Sequence, residues 1–210
     1  MKNVIRIYLT ICMFLPALIV SAQYRPVTFG IKGGVNVSNF AGEGIKDSDG
    51  KIGFTAGILV DYNVDELVFV RTGLDLATKG AKHKEAGIEY TYNPIYLQLP
   101  IHAGYKLPFT NSFSCSLHVG PYLSYGIGGK IKSKVVGGVS DVKDSDINFF
   151  GSKEDGGFKK FDFGLGLGIG AEFGNVLMEL GYDLGLANIS YIEDNKVKNM
   201  NAYLTLGYCF

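Results

Sequence analysis

Hydrophobic and polar residues alternate with a period of two in eight separate segments of the chain, a pattern typical of β-strands with one buried face. The clearest segment is 161–173, where Phe, Leu, Ile and Ala alternate with glycine and two acidic residues. The eight segments are 29–38, 52–62, 68–76, 97–106, 113–126, 161–173, 176–185 and 201–210. Each is close to the roughly 9–11 residues with which a tilted strand crosses a membrane.

One face of every segment is almost continuously apolar, whereas the other carries glycine, serine and scattered charges. A soluble barrel keeps its apolar face inside, but that arrangement would overfill a narrow eight-stranded lumen with Phe, Leu and Tyr. The reverse arrangement places an apolar belt against lipid and small or charged residues inside. The pattern therefore predicts an all-β fold, an eight-stranded antiparallel up-and-down transmembrane β-barrel in the bacterial outer membrane. A periplasmic lipocalin-like ligand carrier is the alternative.

The connections between these segments alternate strictly between short and long. Short turns are predicted at 63–66, 107–112 and 174–175, and long polar loops at 39–51, 78–90, 129–160 and 189–199. In outer-membrane barrels the short turns face the periplasm and the long loops face outside. Aromatic residues at the short-turn ends predict a girdle at the periplasmic interface, formed by Phe29, Tyr62, Tyr105, Phe109, Phe113, Phe173, Tyr208 and Phe210.

The first residues have the features of an export signal. A positively charged start is followed by a mostly apolar run over 7–20, and small residues precede the expected cleavage before Gln23. The apolar run is shorter than the roughly 20 residues that a spanning helix needs. We therefore expect a cleaved signal peptide at 1–22 and one outer-membrane β-barrel domain at 23–210.

Composition narrows the function classes. The chain has 29 glycines, 14 Phe and 13 Tyr but no Trp, and its 20 basic and 20 acidic residues leave no net charge. Without a basic excess or a Lys/Arg block, no nucleic-acid partner is expected. Cys115 and Cys209 fall on non-adjacent predicted strands, one pointing outward and one inward, so no disulfide is expected between them.

Two histidines are the candidate metal-binding pair. A simple hairpin around the 107–112 turn places His102 directly opposite His118, with both side chains pointing inward. Imidazoles on adjacent strands can bind a transition metal or titrate together near neutral pH. The spacing offers no third ligand, and the alternative is a hydrogen-bonded pair in a polar lumen. No cofactor is expected, because the glycine run 164–170 lacks the spacing of a nucleotide loop and no helix follows it.

Nine charged residues fall on the inward faces of the predicted strands. They are Lys32, Asp61, Arg71, Asp75, Lys106, Asp162, Glu172, Glu179 and Asp183. An isolated charge in a narrow lumen is costly to desolvate, so these residues must pair with one another. The sequence thus predicts an interior crossed by salt bridges rather than an open channel.

A lipid-modifying barrel enzyme is an alternative function, because such enzymes need a nucleophile, a base and an acid near the rim. The segments predicted as external loops hold His83, Glu85, Ser133 and Ser140. No motif ties these residues together, and we expect that the protein is not an enzyme.

The longest predicted loop, 129–160, contains the candidate partner-binding residues Ile147, Phe149 and Phe150. An exposed Phe pair in a loop can contact a partner, or it can fold down onto the barrel rim. Both interpretations stay open at this stage. The expected role is structural, adhesive or linked to a secretion machinery, with contacts to other envelope proteins through the external loops.

Short motifs run through almost the whole mature chain in a fairly specific order. They are 29–38, Gly73-Leu74, Lys79-Gly80, Leu97-Gln98-Leu99-Pro100, Gly120-Pro121-Tyr122, Asp162-Phe163-Gly164, 182–189 and 206–210. In these motifs the chain resembles the outer-membrane β-barrel family of Bacteroidetes that includes the PorT-like proteins. The resemblance implies an outer-membrane location, an eight-stranded barrel and recognition of the terminal Phe210 by the barrel-insertion machinery. PorT-like relatives are associated with secretion and gliding machinery, but most members have no defined activity.

Overall fold

The computed structural model describes residues 26–42, 48–85, 88–135, 147–151, 157–191 and 196–210. The strands within them are β1 (Val27–Ala41), β2 (Ser48–Asp49), β3 (Lys51–Asn63), β4 (Val68–Thr78), β5 (Lys82–Glu85), β6 (Ile88–Thr110), β7 (Phe113–Val135), β8 (Ile147–Asn148), β9 (Phe161–Phe173), β10 (Val176–Gly185) and β11 (Lys198–Cys209). Across these residues, no helix has the length and hydropathy needed to cross a membrane. The predicted signal peptide lies outside the described residues.

Eight long strands form a closed antiparallel ring. Their order around the ring is β1-β3-β4-β6-β7-β9-β10-β11, and β11 pairs back onto β1. Along this closing seam Gly30 lies opposite Cys209 and Ala41 lies opposite Lys198. Each long strand is adjacent to the long strands before and after it in the chain, so the connectivity is up-and-down. The predicted eight-stranded antiparallel barrel is confirmed.

The alternation in the sequence sets the two faces of the barrel wall. Along β10 exposed and buried residues alternate without interruption, and β9 does the same over most of its length. Apolar side chains lie outside, with Leu165 at 48%, Leu180 at 52% and Leu206 at 61% exposure. Polar side chains lie inside, with Asp162 at 0% and Glu179 at 1%. An apolar exterior is the membrane arrangement that the sequence predicts, and it excludes the lipocalin-like alternative.

The short turns gather at one end of the barrel. They connect β3 to β4, β6 to β7 and β9 to β10, and the last is the two-residue turn Gly174-Asn175. Gly174 has a φ of +57°, a left-handed conformation that glycine adopts without the Cβ clash of other residues. This end therefore faces the periplasm, and the longer connections face outside.

Aromatic side chains surround the periplasmic end, as the sequence predicts. Phe113 stacks between Phe109, at a centroid distance of 5.6 Å, and Phe173, at 4.6 Å. Seven of the eight predicted girdle residues are between 42% and 63% exposed; they are Phe29, Tyr62, Tyr105, Phe109, Phe173, Tyr208 and Phe210. Phe113 is partly covered by its two neighbours.

Two strands continue well beyond the membrane-length segment. β6 and β7 each have 23 residues, and β5 and β8 pair along their outer parts. The prediction that 78–90 and 129–160 are loops throughout is therefore wrong for 82–85 and 88–90 in the first segment and for 129–135 and 147–148 in the second. The pattern rule failed because the polarity of the two faces inverts there: Lys132 is exposed, whereas Ile131 packs against a buried apolar cluster. A search for apolar residues on the outer face cannot detect such strands.

Candidate functional site

Arg71 on β4 is the centre of an ion-pair network inside the barrel. Its guanidinium donates two hydrogen bonds to Asp61 on β3, Nε to Oδ1 at 2.8 Å and Nη2 to Oδ2 at 2.7 Å. Nη1 donates to Glu179 on β10, which lies across the lumen. The three side chains are between 1% and 3% exposed. The bidentate pair with Asp61 fixes the orientation of the guanidinium, and the bond to Glu179 ties opposite walls of the barrel together.

Two lysines extend this network. Lys32 Nζ on β1 lies 3.0 Å from Asp75 Oδ2 and 3.6 Å from Glu179 Oε1. Lys106 Nζ on β6 lies 2.8 Å from Glu172 Oε2 on β9. The structure thus pairs seven of the nine predicted inward charges with one another, all except Asp162 and Asp183. Each of these charges needs its partner, because a charge left alone in a poorly hydrated lumen is strongly destabilising.

Asp183 is held by amides. Its Oδ2 accepts hydrogen bonds from Gln98 Nε2 at 3.0 Å and from Asn201 Nδ2 at 3.3 Å. Gln98 in turn accepts a hydrogen bond from the Ser124 hydroxyl at 3.1 Å. A cavity of about 10 Å³ adjoins these residues, which is room for about one water molecule.

Lys79 is a buried cation that sequence reasoning missed. It follows β4 directly, in a segment predicted as an external loop, and is 0% exposed. Its Nζ lies 3.7 Å from Asp162 Oδ2, 4.5 Å from the centre of the Tyr122 ring and 5.4 Å from that of Tyr96. Aromatic faces attract an ammonium group most strongly when it is desolvated. The alternation of β4, continued through the buried Ala77, places Lys79 on the inner face and could have identified it.

His102 and His118 form a stacked pair inside the barrel, with 2.9 Å between their Nδ1 atoms and 5.1 Å between their ring centroids. The prediction that they lie directly opposite each other is wrong. His118 lies opposite Gly104, so the two histidines are diagonal neighbours. The register differs because β6 runs on to Thr110, with a bulge near its end, and the turn comprises only residues 111–112.

The surroundings of the histidine pair favour the hydrogen-bonded alternative. A bond between two Nδ1 atoms requires one ring to donate a proton and the other to accept it, which leaves neither nitrogen free for a metal. His118 Nε2 lies 3.3 Å from Glu179 Oε2. Within the described ranges, no group of three or more His, Cys, Asp and Glu side chains could hold a metal ion.

Glycines facing large inward side chains allow the lumen to be filled. A Cβ atom at Gly164 would lie 2.7 Å from the Tyr122 ring, and one at Gly181 would lie 2.2 Å from the Tyr203 ring. A glycine of β9 thus makes room for Tyr122, and a glycine of β10 makes room for Tyr203.

An apolar cluster, here called the external cap, covers the outer end of the lumen. It consists of the buried Phe40, Ala81, Phe149, Ile189 and Val197, with Tyr92, Ile131, Phe150 and Phe158 packed against them. Phe149 and Phe158 stack with their centroids 4.4 Å apart. Most of the members lie on or beside β1, β5, β6, β7, β8 and β11, so they approach the opening from several sides. Sequence reasoning missed the cap because its members are scattered among segments predicted as loops.

The candidate binding residues of the long external connection belong to this region. Phe149 is 0% exposed, and the Phe150 ring packs edge-on against Tyr96 at 5.4 Å. Ile147 pairs through its backbone with Ile131. Of the two interpretations left open, the structure has the Phe pair folded down onto the barrel, and Phe149 presents no surface to a partner.

The candidate enzyme residues are spread over separate strands. His83 pairs with Tyr90, and Tyr90 pairs with Ser133. The backbones of His83 and Ser133 are therefore two strand spacings apart, about 10 Å. The Glu85 side chain and Ser140 lie outside what the structure describes.

The C-terminal residue adjoins the closing seam at the periplasmic end. Phe210 donates its backbone N–H to the Phe29 carbonyl at 2.8 Å, and the residue is 54% exposed. Its role as an insertion signal stays a prediction. Cys115 on β7 and Cys209 on β11 are free thiols on strands that do not pair.

A known protein family matches most of the chain, in agreement with the closed ring and its apolar exterior. A family model described as an outer membrane protein beta-barrel domain matches residues 21–191. The chain belongs to this family. Membership places the protein in the bacterial outer membrane, so the exposed apolar belt is its contact with the lipid of that membrane.

Several solved outer-membrane proteins are similar to the chain in fold. Ail, the attachment invasion locus protein of Yersinia pestis, solved in complex with the heparin analogue sucrose octasulfate, is 15% identical, with a TM-score of 0.47 and coverage of 89% of this chain and 100% of that one. Neisserial surface protein A is 15% identical, with a TM-score of 0.48 and coverage of 87% and 97%. OprG from Pseudomonas aeruginosa is 17% identical, with a TM-score of 0.46 and coverage of 90% and 98%. No curated protein matches the chain.

Proposed function

We propose that this protein is a closed outer-membrane barrel that anchors contacts outside the cell and conducts no solutes. The observation that best supports this role is the filled interior. The Arg71 network joins opposite walls of the lumen, and the external cap covers its outer end. A structural or adhesive protein needs a stably inserted barrel, and both features stabilise one.

The energetics of opening support a closed barrel. A solute crossing the lumen would have to part Arg71 from Glu179, and breaking a buried ion pair costs about 3–5 kcal/mol. It would also have to separate the stacked Phe149 and Phe158 of the external cap. The cavity beside Asp183, at about 10 Å³, is too small for a hydrated ion.

The test is electrical recording from the refolded chain in planar lipid bilayers. We expect no regular conductance steps from the wild type. The variant Phe149→Ala/Phe158→Ala, which removes the stacked rings of the external cap, should also stay silent, because the ion pairs still cross the lumen. Reproducible steps of constant amplitude from the wild type would refute the proposal.

We further infer that contacts with other envelope proteins are made at the outer end of the barrel, in an adhesive or secretion-linked role. The extension of β6 and β7 supports this, because it carries the connection to β8 away from the membrane. Residues 136–146 of that connection lie outside the described residues. Exposed loops on a rigid scaffold are where binding residues concentrate.

This inference predicts the effect of deleting residues 136–146. The shortened protein should still fold and show a heat-dependent shift in gel mobility, because the pairing of Ile131 with Ile147 remains. Crosslinks to other envelope proteins in whole cells should be lost. A control deletion of 43–47 should leave the crosslinks in place. An unchanged set of crosslinks in a folded 136–146 deletion would contradict the inference.

Three narrower statements belong to the same proposal. The motifs at 29–38 and 182–189 support membership of the PorT-like branch found in Bacteroidetes. The exposed ring of Phe210 supports its recognition by the barrel-insertion machinery. We expect no enzymatic activity, since no motif in the sequence ties His83, Glu85, Ser133 and Ser140 together.

A further inference from the structure

One carboxylate in the described part of the lumen has no cation beside it. The lumen carboxylates are those of Asp61, Asp75, Asp162, Glu172, Glu179 and Asp183. The first five each lie within 3.7 Å of a lysine or arginine nitrogen, whereas among the described side chains Asp183 has no such neighbour. Asp183 is 2% exposed, and an isolated buried charge is strongly destabilising. A positive charge is therefore needed beside it.

The two amides that hold Asp183 engage only one of its oxygens. Gln98 Nε2 and Asn201 Nδ2 both donate to Oδ2, whereas Oδ1 is buried without a hydrogen-bond donor. Asp75 on β4 repeats this arrangement: its Oδ2 lies 3.0 Å from Lys32 Nζ, and its Oδ1 is buried without a donor. Two carboxylate oxygens in the lumen are thus left to bind a positively charged group.

Asp75 and Asp183 line the same cavity of about 10 Å³, here called the Asp183 cavity. Thr55 on β3, Gln98 on β6 and Asn201 on β11 line it as well. Carboxylate, amide and hydroxyl oxygens are the ligands that hard metal cations prefer. Two carboxylates with neutral oxygens differ from the sets of three His, Cys, Asp and Glu side chains that are absent from the described residues.

Two basic groups near Asp183 have other partners. Lys32 also lines the cavity, but its Nζ is shared between Asp75 Oδ2 at 3.0 Å and Glu179 Oε1 at 3.6 Å. A Cβ atom at Gly166 would lie 2.7 Å from His102 Nε2 and 3.0 Å from Asp183 Oδ1. The Nδ1 bond of His102 to the second histidine needs no positive charge, because a neutral imidazole both donates and accepts.

We propose that the Asp183 cavity binds one dehydrated alkali-metal cation, such as sodium. The cavity has room for about one water molecule, so the ion takes its ligands from the protein and leaves its hydration shell behind. Because Asp75 already pairs with Lys32, the charge without a partner is a single one, which a monovalent ion balances. The bound ion links β4 to β10 across the lumen. This goes beyond the proposed anchoring role and does not depend on contacts at the outer end.

The test is urea-induced unfolding of the full mature chain in lipid vesicles at constant ionic strength. Sodium chloride is replaced stepwise by N-methylglucamine chloride, whose cation is too large for the cavity. We expect sodium to lower the equilibrium constant for unfolding about tenfold and to saturate as a single site does, which is the effect of a ligand at about ten times its dissociation constant. Identical unfolding curves in the two salts would refute the proposal.

Three variants make the test specific. Asp183→Asn keeps the size of the side chain but removes its charge, so the sodium dependence should be lost. The matched control Glu66→Gln removes an exposed carboxylate from a periplasmic turn and should keep the full effect of sodium. Thr55→Val changes no charge but removes a hydroxyl that lines the cavity, so half of the effect should require a higher sodium concentration.

Two further results would overturn the proposal. A sodium effect that persists in Asp183→Asn, or that Glu66→Gln reduces equally, would mean that salt acts on the whole protein rather than in the Asp183 cavity. The second is unfolding that ignores sodium but depends on pH in the wild type and no longer does so in Asp183→Asn. In that case a proton on Asp183, Asp75 or His102 supplies the positive charge.

Discussion

Replacing Arg71 by methionine is expected to lower the free energy of unfolding by about 3–5 kcal/mol, since it leaves buried carboxylates without their cation. Asp61 loses two hydrogen bonds of 2.8 and 2.7 Å, and Glu179 loses the guanidinium that faces it across the lumen. Methionine preserves most of the apolar volume of the side chain. The measurement is urea-induced unfolding in lipid vesicles, with the folded fraction read from gel mobility.

The chain contains a matched control for this prediction. Lys84 also pairs with two carboxylates, Asp49 at 3.9 Å and Glu89 at 3.6 Å, but its side chain is 57% exposed. Exposed ion pairs contribute about 0–1 kcal/mol. Lys84→Met should therefore leave the urea midpoint almost unchanged. Equal shifts in Lys84→Met and Arg71→Met would show that the lumen network contributes no more to stability than surface charges do.

Replacing Lys79 by methionine is expected to destabilise the barrel by a similar amount, about 3–5 kcal/mol, because it leaves Asp162 unpaired at 0% exposure. Asp162 would keep hydrogen bonds from Asn199 Nδ2 at 3.0 Å and from the Tyr122 hydroxyl at 3.4 Å. The cation–π contact with the Tyr122 ring would be lost as well. The same urea titration measures the change.

A second substitution tests the cause of this loss. In the double variant Lys79→Met/Asp162→Asn the orphaned charge is removed, so most of the lost stability should return. Asp162→Asn alone should destabilise the barrel, because it leaves the Lys79 ammonium without its carboxylate. A double variant that is no more stable than Lys79→Met would mean that the cost arises from lost packing rather than from an uncompensated charge.

The membrane part of the fold could be predicted from the sequence because lipid imposes one rule on every strand. Outward residues must be apolar and inward residues must be small or paired, and segments such as 161–173 and 176–185 follow this rule closely. The predicted bounds of these two strands agree with the structure. The inward position of Arg71 and its need for carboxylate partners follow from the same alternation.

Above the membrane that rule no longer applies, so the outer parts of β6 and β7 could not be predicted from the sequence. Water replaces lipid as the outer environment, so Lys82 and Lys132 face outward while Tyr92 and Ile131 face the external cap. In water this pattern indicates a strand, whereas a search for an apolar outer face predicts a polar loop from the same residues. The inward position of Lys79 could not be predicted for the same reason. This residue lies where the chain leaves the lipid-facing belt at the end of β4.

Register could not be obtained from alternation alone. A period of two determines the face of a residue but leaves its partner free to shift by two positions. Alternation predicts the correct face for His102 and His118 but the wrong partners, since the bulge and the short turn of the β6–β7 hairpin shift the pairing. Their Nδ1 atoms nevertheless meet, because diagonal neighbours on adjacent strands are within reach of long side chains.

Because β6 and β7 are so long, the barrel wall extends further from the membrane on their side than at β10. With 23 residues each, against 10 in β10, they extend roughly 75 Å along their own direction, and about half of that length is needed to cross the membrane. The remainder stands as a wall on one flank of the barrel mouth. A bulky molecule such as an antibody therefore meets an obstacle on that flank, whereas the strands β10 and β11 themselves end closer to the membrane. Access to the top of the barrel depends on the direction of approach.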